Sequence, residues 1–198
     1  MGKYSQFGEE AHLWAILDEI GDGSKVCVDI GARYAGSNVA ALIRSRGYSA
    51  YLVEASLIHC KELINQFPGA DVINKFATIE NINELVPMNT HVLSIDVDSN
   101  DWWLWANLRA RPAVVIIETS PCKGIRVSEY NMNGTMEHGY GTSVDGAKAL
   151  ANLKRYTYIT RTEANVFFVN NDIKCNYRAP DAKSHCGSPS SPENNIFR

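Results

Sequence analysis

The stretch from 25 to 38, KVCVDIGARYAGSN, decides how this chain is read. Val26, Cys27, Val28 and Ile30 form an apolar run broken only by Asp29, the pattern of a strand covered on both faces. The run stops at Gly31, and Gly36 follows. Ser37 and Asn38 then lead into Val39, Ala40, Ala41, Leu42 and Ile43, a run that suits a helix. A strand, a glycine-bearing turn and a helix N-terminus in succession leave backbone N–H groups that no side chain blocks. A nucleotide-like ligand can approach such a turn. An ordinary strand-to-helix connection has the same pattern, so the flanking segments have to decide.

Upstream, Phe7, Leu13, Ile16, Leu17 and Ile20 recur near helical spacing and predict a helix over Tyr4–Ile20, capped by Ser5 and ended by Gly21-Asp22-Gly23. Downstream, strands are expected at 50–53, 71–77, 90–97 and 113–117. Helices are expected between them at 37–46, 56–67, 79–86 and 101–109. Strands alternating with helices argue for a parallel, doubly wound sheet. The rhythm changes at Ser120–Thr142, which is long, polar and dotted with glycines. A segment of that kind after a strand is expected to be mobile and to serve the site. A helix over Ser143–Lys154 follows, then strands at 156–160 and 165–170 joined by a short connection, which predicts an antiparallel hairpin. One domain over 1–173 is expected, with a flexible tail at 174–198 rich in Ser, Pro and Asn.

Composition narrows the function. A chain of 198 residues suits one domain with a full core. Its net charge of -3 gives no electrostatic case for nucleic acid or an anionic membrane surface. No apolar run approaches the length of a membrane span, and the N-terminus lacks the apolar centre of a secretory signal. The cysteines Cys27, Cys60, Cys122, Cys175 and Cys186 are widely spaced and form no CxxC pair, so a reducing, cytoplasmic setting is expected. Oligomeric state is not legible.

Five strand–helix units closed by a helix and a hairpin resemble the class I S-adenosylmethionine-dependent methyltransferases. VDIGARYAGSN resembles that family's first motif, and AYLVEAS its second. HVLSIDVDSNDWWLW, RPAVVIIE, the early YSQFGEE and the closing EANVFFV resemble the FkbM-like branch in particular. The resemblance implies a Rossmann-like methyltransferase fold: a mostly parallel seven-stranded sheet with a C-terminal antiparallel β-hairpin. It also implies S-adenosylmethionine as cofactor, with contacts at Gln6, Asp29, Gly31, Ala32, Gly36, Ser37, Asn38, Glu54, Ala55 and Asp96. Glu54 would hold the ribose hydroxyls, since a carboxylate at a strand end can accept from both. Two departures stand out. Arg33 and Ala35 occupy positions where the family carries a further glycine, and Thr119-Ser120 replaces its common Tyr-Asn.

Methyl transfer to oxygen needs a proton acceptor or a metal at the nucleophile. Asp96 and Asp98 would share one face if the fourth strand continued through them. Asp98 is the expected base, with Asp96 nearer the cofactor and His138 in the long loop as second candidate. Asp96, Asp98 and Glu118 also form an oxygen-rich set that would suit a Mg-type divalent cation. The alternative for each of these acids is to cap the following turn, and for Asp101 to cap the Trp102 helix. Trp102, Trp103 and Trp105 could pack on the sheet or flank a ligand. The expected activity is O-methylation of a small-molecule or glycan acceptor. The alternatives are a cofactor-binding protein without turnover and a nicotinamide-dependent oxidoreductase, which the missing GxGxxG spacing disfavours.

Overall fold

In the computed structural model, which describes residues 8–33, 37–120, 124–132 and 141–182, the opening stretch forms the centre of a sheet. Strand β1 (Val26–Ile30) lies between β2 (Ser49–Glu54) and β4 (Val92–Ile95), parallel to both. Beyond them lie β3 (Asp71–Asn74) on one side and β5 (Val114–Glu118) on the other. The last two strands, β6 (Tyr156–Arg161) and β7 (Asn165–Asn170), form the expected hairpin. β7 inserts antiparallel between β5 and β6, so the seven-stranded order is β3-β2-β1-β4-β5-β7-β6. From β1 the chain winds outward one way to β2 and β3, then crosses back to β4 and β5. The strand ends beside β1 are therefore a topological switch point, where open α/β sheets form their ligand crevice.

Successive strand residues point to opposite faces, and each face has its own core. Val28, Ile30, Leu93, Ile95, Val115 and Ile117 pack under α4 (Ile82–Leu85), α5 (Asp101–Asn107) and α6 (Val144–Leu153). Cys27, Leu52, Val92, Val114 and Ile116 pack under α1 (Glu9–Ile20), α2 (Ala40–Ser45) and α3 (Leu57–Gln66). Among the described residues no helix is long and apolar enough to cross a membrane.

Several boundaries differ from expectation. α1 begins after Gly8, which adopts the left-handed conformation at φ +81°, and the expected cap Ser5 lies outside the described residues. β4 ends at Ile95 instead of Val97, so the strand geometry that would put Asp96 and Asp98 on one face is absent. Chain beyond β7 does not leave the body at Lys174. Glu19 Oε1 accepts from the Asn176 N–H (2.6 Å) and Oε2 from the Tyr177 N–H (2.6 Å). The Tyr177 hydroxyl meets His12 Nδ1 at 3.0 Å, and Tyr158 donates to Asp181. Residues 174–182 thus lie against α1 and β6, because the backbone N–H groups there find a carboxylate on α1.

Candidate functional site

Gly31 shapes the edge of the site. Its φ is +85°, and a Cβ there would sit 1.8 Å from the Asp96 carbonyl oxygen. The turn after β1 is therefore pressed against the end of β4 in a way only glycine allows. The Gly31 and Ala32 N–H groups donate to Val53 O at 2.9 and 3.0 Å, which ties the turn to β2 as well. Behind it lies a buried polar net. Ser37 Oγ donates to Asp29 Oδ2 (2.7 Å), and Asn38 Nδ2 donates to Ser94 Oγ (3.0 Å). Burial pushes the Asp29 carboxyl up to about 6, while hydrogen bonds from Ser37 and Ser94 pull the other way. Asp29, Ala32, Ser37 and Asn38 are all buried, so they brace the turn from inside.

In front of the turn is a cleft of about 170 Å³, with Gly31, Glu54, Ala55, Asp96 and Asp98 on its walls. Glu54 Oε1 accepts from the Ser56 N–H (2.6 Å), which fixes the carboxylate at the rim. Asn74 at the end of β3 donates to Glu54 O and Ala55 O, holding the β2 and β3 ends together. Phe76 and Ala77 continue the wall past β3. A carboxylate, an apolar flank and the glycine turn thus line one cleft.

At the other end of the cleft the acids converge. Asp96, Asp98 and Glu118 each bring an oxygen within 4.8 Å of the others. Asp98 reaches this place through a left-handed backbone, φ +64°, and not through strand alternation. Its Oδ2 accepts from Arg33 Nη2 at 3.1 Å. Burial, then the Asp98 charge, raises the Asp96 carboxyl; burial, then the Asp96 charge, raises Glu118. Burial and the neighbouring Asp96 charge together favour the neutral form of Glu118. Asp101 is buried beside them and is pushed up to about 7, mainly by burial. It does not cap α5, whose N-cap is Asn100; its Oδ1 instead accepts from the Val97 N–H at 2.8 Å. Three oxygen donors this close suit a hard divalent cation, and a proton on Glu118 relieves the same repulsion.

The loop after β5, where the structure describes it, is bonded to its surroundings through several side chains. Ser143 Oγ donates to Gly124 O (2.7 Å) and accepts from the Arg126 N–H (2.9 Å). Asn100 and Asn131 exchange two side chain–backbone bonds, and the Tyr130 hydroxyl accepts from the Ile79 N–H. Residues 124–132 form a strap tied across the Asn100 end of the cleft. Two of the tryptophans hold this region. Trp103 Nε1 donates to Ser128 O and Trp102 Nε1 to Gly146 O, while Trp105 is buried against Phe168. Gln6, Gly36 and His138 lie outside the described residues. One acid escaped sequence reasoning: Glu9, fully buried, accepts from Thr162 Oγ1 (2.8 Å) and Asn165 Nδ2 (3.2 Å). A Glu in a helix first turn reads as a surface residue until the hairpin that covers it is placed.

No protein-family model and no curated protein sequence matches the chain. Solved structures do match it in fold. The N-terminal domain of EvdMO1, solved with SAH and D-fucose, is 11% identical over 82% of each chain, with a TM-score of 0.52. A SAM-dependent methyltransferase from Archaeoglobus fulgidus is 16% identical over 75% of this chain and 67% of its own, at 0.51. The mitomycin 7-O-methyltransferase MmcR is 16% identical over 82% of this chain and 53% of its own, at 0.50. The chain has the Rossmann-like fold of these methyltransferases.

Proposed function

We propose that the protein is an S-adenosylmethionine-dependent methyltransferase of the FkbM-like kind, acting in the cytoplasm on a hydroxyl of a small molecule or glycan. One observation carries this reading: Gly31, Glu54 and Asp96, from three adjacent strand ends at the switch point, rim one cleft. The cofactor supplies an electrophilic methyl group; the protein's task is to bind, orient and manage the acceptor proton. In this reading Glu54 accepts from the ribose hydroxyls, Asp96 lies nearer the methyl donor, and Asp98 takes the acceptor proton. Glu118, held neutral against Asp96, keeps the carboxylate pair from carrying two charges. A divalent cation held by Asp96, Asp98 and Glu118 would take the place of the Glu118 proton and lower the acceptor hydroxyl's pKa.

Calorimetry with S-adenosylhomocysteine and with NAD tests the assignment. The wild type should bind the first and not the second, and Glu54→Ala should weaken binding by roughly 1–3 kcal/mol. Asp98→Asn should lower turnover on the order of 10²–10⁴-fold without weakening cofactor binding. Unchanged affinity in Glu54→Ala removes Glu54 from the site. A competing reading, cofactor binding without transfer, draws on the Arg33–Asp98 ion pair, which occupies the expected base. Turnover of any member of a hydroxylated acceptor panel excludes it.

A further inference from the structure

The turn after β1 carries an arginine where the resembling family carries glycine, and that side chain faces the same cleft. Arg33 lines the cleft, its side chain 68% exposed, and donates to Asp98 across the gap between the β1 and β4 ends. Among the described residues two cationic side chains line this cleft, and they stand at opposite ends. Lys75, past β3, is paired with Glu84 at 3.3 Å. Arg33 stands at the β4 end, beside Asp96 and Asp98.

Glu54 between them sets a polarity. With ribose hydroxyls on Glu54, the base extends toward Phe76 and Ala77, and the amino-acid end toward Gly31 and Asp96. That end of the cofactor carries an ammonium and a carboxylate. Asp96 offers the ammonium a partner. The carboxylate, however, must enter the space beside Asp96 and Asp98, where like charges repel it. A guanidinium resolves this, because its parallel N–H groups match a carboxylate's two oxygens. Asp98 already presents such a group to Arg33.

We propose that Arg33 binds the α-carboxylate of S-adenosylmethionine, exchanging Asp98 for it and so releasing Asp98 toward the acceptor. This rests on the methyltransferase reading above. The glycine lost from the turn is thereby replaced by a charged contact to the same ligand.

The test compares two ligands. S-adenosylhomocysteine has the carboxylate; 5′-methylthioadenosine keeps the adenosine and sulfur but lacks the amino-acid end. Calorimetry on the intact chain should show Arg33→Gln weakening S-adenosylhomocysteine about 10–100-fold. Its affinity for 5′-methylthioadenosine should stay within about twofold, which also shows the cleft is folded. Arg33→Lys should recover part of the loss. Asp98→Asn, which removes the competing carboxylate, should tighten S-adenosylhomocysteine and leave 5′-methylthioadenosine unchanged. Equal weakening of both ligands by Arg33→Gln would make Arg33 a support of the loop and overturn the proposal, as would unchanged S-adenosylhomocysteine affinity. If the wild type binds neither ligand, the methyltransferase reading itself falls; if it binds both and Arg33→Gln matches it, only the Arg33 assignment falls.

Discussion

Asp101 has no exposed surface, a hydrogen bond from the Val97 N–H, and one carboxyl oxygen without a partner among the described residues. Burial raises its folded-state value to about 7 from 3.8. At pH below 3.8 it is protonated folded or unfolded, and it costs nothing. As pH rises, the unfolded chain loses this proton while the native chain keeps it, so stability falls until about 7 and then levels. Asp101→Asn cannot ionise and keeps an oxygen for Val97. Its stability advantage over wild type should therefore grow between about pH 4 and about pH 7, by up to about 1.4 kcal/mol per unit. Denaturant unfolding across that range checks this; an advantage independent of pH would show that Asp101 carries no shifted proton. The left-handed Asp98 was out of reach of the sequence. A strand rule predicts side-chain facing only while the strand lasts, and β4 stops before Asp96.

At the scale of elements, Ser143 does two things with one hydroxyl. It caps α6 by accepting from the Gly146 N–H at 3.0 Å, and it binds the strap through Gly124 and Arg126. Ser143→Ala should lower stability by about 0.5–2 kcal/mol, the usual range for a lost cap. It should also speed amide exchange across 124–132. Exchange there as slow as in wild type would mean that Asn100 and Tyr130 suffice to hold the strap. The strap illustrates what was legible and what was not. Ser143 is readable as a cap because Ser precedes an apolar periodic run. Its second role depends on residues far along the chain, as do the contacts of Trp102 and Trp103. By contrast, the apolar runs of β1, β2 and β5, each ended by or holding an acid, were readable directly, because buried parallel strands leave a continuous signature. So were the order of units and the closing hairpin.

The whole molecule is held at its edge by chain that composition marks as a tail. Ile173, Cys175 and Tyr177 pack against the core under α1, and Glu19 gathers the Asn176 and Tyr177 N–H groups. Removing residues from 174 onward should lower the thermal midpoint by a few degrees, roughly 2–6 °C. An unchanged midpoint would mean these contacts add nothing net to stability. Low-hydrophobicity composition reads this stretch as a tail because it weighs side chains and not the backbone donors that a helix carboxylate can capture. The position of β7 has a consequence for how the protein is made. β5, the apolar run Val114–Glu118, has β4 on one flank and β7 on the other. During synthesis β4 precedes it, but β7 emerges only after residues 119–164. Until then one row of β5 N–H and C=O groups stays open on a strand of four consecutive aliphatic residues, a template for pairing with another nascent chain. Ribosomes stalled before β7 should therefore carry an aggregation-prone sheet, and the edge closes only when the chain doubles back.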